Sequence, residues 1–92
     1  APLDIRHNEA ASRFEALVEG QLCVAAYHRL GAIVDLNHTS VPRSLEGRGI
    51  SAALVQAALD WARAEGLQVR PLCSYVAAYM RRHPATQDLL AR

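Results

Sequence analysis

The chain has no lysine; all ten of its basic residues are arginine. A P-loop needs a lysine followed by serine or threonine, so that class of nucleotide site is excluded. Any anion site must instead use arginine or backbone amides. The two cysteines, Cys23 and Cys73, stand far apart and form no C-x-x-C. No ligand pair has zinc-like spacing, so no metal site is expected, and reduced thiols in a cytoplasmic protein are expected in place of a disulfide. No apolar run approaches the roughly 18 residues that cross a bilayer. The opening "APLDIRHNEA" lacks the basic-then-apolar order of a secretory signal. Repeats, low-complexity tracts and an interdomain linker are also missing. A net charge of +1 gives no electrostatic case for nucleic acid or membrane as a partner. What is present is 92 residues with 51% apolar content, enough for a core, so residues 1–92 read as one domain.

The hydrophobic period changes along the chain. "SRFEALVEG" alternates, with Phe14, Ala16 and Val18 on one face, and reads as a half-buried strand. Glu19-Gly20 is a tight turn. "QLCVAAYHRL" is a second strand, with Leu22, Val24 and Ala26 opposite Cys23, Ala25 and Tyr27. Leu30-Gly31 turns into a third, "AIVDLNHTSV", which stops at Pro42. Three short strands with tight connections imply an antiparallel meander. "PRSLEGRG" then reads as a loop. From Ile50 to Glu65 the period is helical: Leu54, Val55, Ala58, Leu59, Trp61 and Ala62 form a stripe opposite Gln56, Asp60 and Arg63. Gly66 is the expected stop. "LQVRPLC" is a fourth strand, reached through a helix and so a parallel neighbour of the third. Ser74 caps a second helix, Tyr75 to Arg82, and a last short helix runs from about Pro84 to Leu90. The order β-β-β-α-β-α-α predicts an α+β (mixed α/β) domain.

"GRG" in "SLEGRGISAALVQAALDWARAEG" places Gly47 and Gly49 at the start of the long helix. Glycine permits positive φ and close backbone approach. A helix N-terminus offers unpaired N–H groups and the positive pole of the helix dipole. Together these can bind phosphate, with Arg48 as a charged donor. Taken alone, the motif reads first as a turn that starts a helix and binds nothing. It is not the dinucleotide fingerprint: the third glycine would fall at Ala52, and the preceding strands form no βαβ unit.

A strand, a loop of R/Q-x-x-G-x-G/A character, an amphipathic helix, a strand and a second helix resemble the core of the GNAT superfamily of N-acetyltransferases. The matching segments are "DLNHTSVP", "LEGRGISAALVQAALDWARAEGL" and "PLCSYVAAYMRRHP". The resemblance is closest to a small, single-domain branch lacking the family's first two helices. It implies acetyl-CoA as cosubstrate, with CoA as product. Glu46, Gly47, Arg48, Gly49, Ile50 and Ser51 would wrap its pyrophosphate. The strand Leu36 to Val41, including Thr39, Ser40 and Val41, would pair with the pantetheine arm. That strand and the one carrying Val69 to Cys73 would splay into a V that holds the thioester. One position departs from the pattern: Ser44 stands where the family places a basic residue or glutamine, and Arg43 falls one residue early.

Three side chains are candidates for catalysis. Cys73 precedes a helix N-terminus, which lowers a thiol pKa; it is an acetyl-accepting or substrate-shaping thiol, or a small buried residue at a strand end. Cys23 reads as core. His38, near the end of the pantetheine-facing strand, can take a proton from an ammonium substrate or serve structure beside Thr39. Asp35 is its rival, placed by alternation with Asn37 and Thr39 on the opposite face. Many GNAT enzymes protonate the leaving thiolate from a tyrosine on the helix where Tyr79 lies; Tyr75, one turn earlier, is the alternative, and both can simply pack the helix. Arg81 to His83 read as a solvated helix end or as donors to the CoA phosphates.

The function implied is acetyl transfer from acetyl-CoA to a primary amine, either a small amine or a protein amino group. A non-catalytic acyl-CoA-binding module is the alternative, and a monomer or homodimer is expected.

Overall fold

The computed structural model describes residues 3–92; Ala1 and Pro2, with which the single-domain expectation begins, lie outside the described residues. Strands β1 (Arg6–Asn8), β2 (Arg13–Val18), β3 (Gln21–Leu30) and β4 (Ile33–Ser40) precede helix α1 (Ile50–Ala64). Strand β5 (Gln68–Pro71) and helix α2 (Ser74–Arg82) come after it, and 3-10 turns occupy Arg43–Leu45 and Pro84–Leu89. The five strands form one sheet in chain order, antiparallel except for the parallel β4–β5 pair. The mixed α+β fold with its antiparallel meander and parallel last strand is therefore as expected.

Strand β1 is the element that the sequence pattern did not announce. Three residues are too few for alternation to be visible. It pairs with β2 from Arg6↔Glu15 to Asn8↔Arg13, and His7 anchors it: the ring stacks on Phe14 at 4.1 Å, lies against Trp61 at 4.8 Å and hydrogen-bonds the Tyr27 hydroxyl at 2.7 Å. The β2–β3 turn is built on Glu19 and Gly20, at φ of 50° and 74°, the pair of positive values that suits the twist of a two-residue hairpin.

Alternation is obeyed where it was expected. Phe14 and Ala16 of β2, Cys23, Ala25 and Tyr27 of β3, and Val34 and Leu36 of β4 are buried. They pack under Leu54, Val55, Ala58, Leu59 and Ala62 of α1, and Val76 and Met80 of α2 join the same cluster. Helix α1 ends as anticipated. Gly66 takes φ of 70°, Leu67 N–H bonds the Ala62 carbonyl at 2.8 Å, and Gly66 N–H bonds that of Arg63 at 3.2 Å. This paired closure satisfies carbonyls the helix would otherwise leave open. The outer edge of β5 is covered by the end of the chain, where Ala91 N–H bonds the Val69 carbonyl at 2.8 Å and Leu90 bridges Val69.

Two local features shape the region between β4 and α1. In the β3–β4 register Ala26 faces His38 while Tyr27 faces Leu36, so Asn37 is an extra residue: a β-bulge. The segment "PRSLEGRG" is also more than a loop. Its Arg43–Leu45 stretch is a 3-10 turn whose leucine is 1% exposed, driven into the core below the start of α1. Leu45→Ala should therefore cost about 2–5 kcal/mol of stability, as core leucine truncations do. Urea unfolding measures it, and a loss under about 1 kcal/mol would show that the turn is not held by this side chain.

Candidate functional site

The pairing of β4 with β5 runs from Ile33↔Gln68 to Leu36↔Pro71 and stops there. The Leu36 carbonyl accepts both the Leu72 N–H at 3.1 Å and the Cys73 N–H at 3.0 Å. Beyond it β4 bends at the Asn37 bulge, β5 turns into α2, and the strands part. Thr39 and Cys73 face one another across the opening, with Oγ1 and Sγ 3.6 Å apart. Cys73, and not Ser74, is the N-cap of α2; Ser74 is its first helical residue. Burial raises the Cys73 thiol. The neighbouring Val76 amide, the Thr39 hydroxyl and the Tyr75 and Thr39 amides outweigh that and hold the thiol below its ordinary range. Cys23, fully buried in the core, has nothing to offset burial and is pushed up.

At the other end of the opening stands the glycine loop. Gly47 and Gly49 have φ of 81° and 77°, and Gly49 is the N-cap of α1. A Cβ at either position would meet nothing within 4 Å, so glycine is required here by backbone conformation and not by crowding. The first amide bonded within α1 is that of Ala53, to the Gly49 carbonyl at 3.1 Å. The amides of Ile50, Ser51 and Ala52 are therefore free for an anion. A cavity of about 530 Å³ joins this loop to the parted strand. Its walls are Thr39, Ser40 and Val41 of the strand and Glu46, Gly47, Gly49, Ile50 and Ser51 of the loop and helix start. These eight expected residues are brought together, and Leu45, Ala52 and Tyr75 complete the lining.

Other expected residues stand elsewhere. Arg48 does not line the cavity. Its guanidinium donates to Glu19 at 2.6 Å and ties the loop to the β2–β3 turn. Arg43 is exposed on the 3-10 turn and does not line it either. Ser44 is a second tie to that turn, accepting from the Gln21 amide at 3.0 Å. His38 is exposed, and its partner across the sheet, Ala26, lies on the face away from α1. The bulge overturns the expectation that Asp35 and His38 lie on opposite faces. Asp35 pairs with His28, also on the face away from α1, so the two share it. Asp35 is no free base: Arg70 grips it through two bonds of 2.5 and 2.8 Å. Those hydrogen bonds hold its carboxyl below the usual range against the opposing effect of burial.

Tyr79 is 9% exposed, and its hydroxyl donates to the Gln56 side-chain carbonyl. Gln56, expected on the solvent face, is thus half-buried between the helices, and its amide donates to Asp60 at 2.8 Å. Burial raises the Tyr79 phenol, with the Tyr75 and Asp60 charges adding to it. Tyr75 is the tyrosine that lines the cavity, with 38% of its surface exposed.

A family model described as GCN5-related N-acetyl-transferase matches residues 13–89. The chain belongs to the GCN5-related N-acetyltransferases. It is 35% identical over 91 residues to Protein NATD1 of Gallus gallus, covering 96% of this chain and 83% of that one. It is likewise 35% identical to Protein NATD1 of Homo sapiens, over 96% of this chain and 80% of that one, and 31% identical to that of Danio rerio, over 95% and 82%. The fold is shared with the solution structure of a GCN5-like protein from Staphylococcus aureus, with a TM-score of 0.76, 23% identity, and coverage of 97% of this chain and 88% of that one. In this acetyltransferase-family chain, Leu45 and Ala52 are the cavity residues sequence reasoning left out, and Tyr75, named there as the alternative to Tyr79, is the tyrosine that reaches the cavity. Leu45 had a signal: it is the one large apolar residue in an otherwise polar loop.

Iodoacetamide at neutral pH should alkylate Cys73 in the native protein and leave Cys23 unmodified until denaturant is added; peptide mass mapping decides, and the reverse order would contradict these thiol environments. A carboxyl whose folded-state pKa is depressed contributes fully above its unfolded pKa, and the contribution is lost as pH falls through the folded value. Asp35→Asn should therefore flatten the acid limb of the Tm–pH curve between about pH 5 and pH 2, while an unchanged slope would count against the ion pair.

Proposed function

We propose that the chain is an acetyl-CoA-dependent N-acetyltransferase that acts on a primary amine. The observation that carries this reading is the single cavity that joins the parted strand, the glycine loop, the free amides of α1 and Tyr75, with Cys73 beside Thr39 at the strand opening.

The residues suit CoA in a specific way. The cavity receives no arginine, and Glu46 lines it. A pyrophosphate would therefore be held by backbone, through the Ile50, Ser51 and Ala52 amides in the field of the α1 dipole. Thr39 to Val41, freed from β5, offer main-chain groups to an extended pantetheine. Acetyl-CoA supplies the activated acyl group as a thioester.

Transfer forms a C–N bond and breaks a C–S bond. One proton must leave the amine and one must reach the departing sulfur. The donors gathered at the strand opening (the Thr39 amide and hydroxyl with the Tyr75 and Val76 amides) favour negative charge there. They make Cys73 a ready proton acceptor or nucleophile. Tyr75, in the cavity wall, is the proton donor to the CoA sulfur. Tyr79, its hydroxyl committed to Gln56, holds the two helices together. His38, exposed on the far face, can pass the amine proton to solvent.

Acetyl-CoA turnover, followed by thiol release with a panel of amines, tests the reading. Tyr75→Phe should lower kcat by about 100-fold with little change in KM for acetyl-CoA, whereas Tyr79→Phe should stay within about threefold. The opposite ranking would return the role to Tyr79. Gly49→Val, forced out of its left-handed conformation, should abolish binding of CoA. Tight binding with no thiol release for any acceptor would leave an acyl-CoA-binding module and sink the enzyme reading.

A further inference from the structure

The two edges of the sheet are finished differently. The edge at β5 is closed by the end of the chain, through Leu90 and Ala91. The edge at β1 is bare: β1 is the end strand, and among the described residues no backbone group bonds to its outer side. Such an edge is a template for another strand, and proteins commonly blunt it with lysine, proline or a bulge. Residues 3–9 hold neither lysine nor proline, and the β1–β2 register runs without a shift.

The usable edge is longer than β1 itself. Leu3, Ile5 and His7 are half-buried, and the first two pack against the core, while Asp4 and Arg6 are exposed. That alternation is the period of an extended strand. The pairing Arg6↔Glu15, carried back two residues, sets Asp4 opposite Leu17, and these two line the same pair of surface hollows. Asp4 and Arg6 therefore stand side by side on the face away from α1, bonded at 3.1 Å and each more than three-quarters exposed. An exposed pair of this kind contributes little within one chain. Its order along the edge makes the edge self-complementary. A two-fold axis normal to the sheet pairs a strand with its own copy, antiparallel, about one central residue. Centred on Ile5, each Asp4 meets the Arg6 of the other copy, twice by symmetry. On the opposite face the two Ile5 side chains meet, flanked by Leu3 against His7. Centred on Asp4 or on Arg6, like charges fall directly opposite one another, which destabilises a ladder. The two charges thus exclude the neighbouring registers and admit this one. The rival surface is the sheet face around Leu17 and Leu22, cross-strand neighbours that are 70% and 44% exposed. It offers apolar area, but no residue on it selects an occupant.

We infer that the chain associates with a second copy of itself edge to edge, β1 against β1 centred on Ile5. Each copy contributes its five strands to one continuous sheet, with the helices of both on the same side. Asp4 and Arg6 are the residues that select the partner and the register. The association does not depend on the proposed acetyl transfer.

Sedimentation velocity of the intact chain decides, at about 100 µM because a short edge makes a weak contact. Wild type should run as a dimer, at twice the 10.0 kDa of the chain. Asp4→Arg and Arg6→Asp should each run as a monomer with an unchanged Tm, because like charges then face each other at both contacts. An equimolar mixture of those two variants should dimerise again. The double variant Asp4→Arg/Arg6→Asp, which restores opposite charges, should do so as well. A monomeric wild type overturns the inference, as does a dimer that persists in either single variant or the failure of either restoration. A mixed sample of labelled and unlabelled wild type, filtered for contacts between copies, gives a test free of any variant. It should show Ile5 against Ile5, and contacts at Leu17 and Leu22 in their place would overturn the assignment.

Discussion

One backbone carbonyl divides this molecule into a scaffold and a site. The Leu36 oxygen takes the amides of both Leu72 and Cys73, and it is the last point at which β4 and β5 hold together. Before it, a parallel pair sits under α1 as part of a continuous core. After it, the extra residue Asn37 bends β4 away, and β5 turns directly into α2. Main-chain groups that a longer sheet would have consumed are left facing a gap. Buried backbone donors need partners. Here some lie close enough to the Cys73 sulfur to favour its thiolate, and others line an open cavity.

The loop that closes the other side of that cavity divides its labour between side chain and backbone. Arg48 and Ser44 face outward to Glu19 and Gln21, so both ends of the loop are fastened to the β2–β3 hairpin. Leu45 fastens the middle from below. With the side chains occupied in this way, the amides of the first turn of α1 remain free. This arrangement accounts for Ser44 at the position where a basic residue or glutamine was expected: a short hydroxyl reaches Gln21, and the anion site does not depend on a cation there. The exposed Arg48–Glu19 ion pair is weak on its own. The buried leucine and the two left-handed glycines set the loop's shape.

Much of this was legible in the sequence because it is periodic or conformational. The face of β2, the stripe of α1, the Gly66 stop and the parallel placement of the last strand follow from spacing alone. The family resemblance grouped Thr39 to Val41 with Glu46 to Ser51, and all of these but Arg48 line one cavity. The rest depends on long-range contacts that no local pattern encodes. Strand β1 is held by its pairing with β2 and by His7, which finds Phe14, Tyr27 and Trp61. The bulge at Asn37 breaks an alternation that the sequence otherwise keeps, and so moves Asp35 to the face of His38. Arg48 reads as a phosphate ligand until Glu19 is seen beside it, and Tyr79 reads as an acid until Gln56 is. In each case a charged or polar group was claimed by a partner distant in sequence, and what remained available was backbone, Cys73 and Tyr75.

The proposed binding of acetyl-CoA relies on free backbone amides at the strand opening and at the start of α1 more than on side-chain charge. An amide-resolved NMR titration of the uniformly labelled protein with acetyl-CoA probes this most directly. Saturable shifts are expected at Thr39 to Val41, at Gly47 to Ala52 and at Cys73 to Val76, with β1 and β2 unmoved. Absence of shifts at millimolar ligand, or shifts confined to exposed arginine side chains with these amides silent, would contradict it.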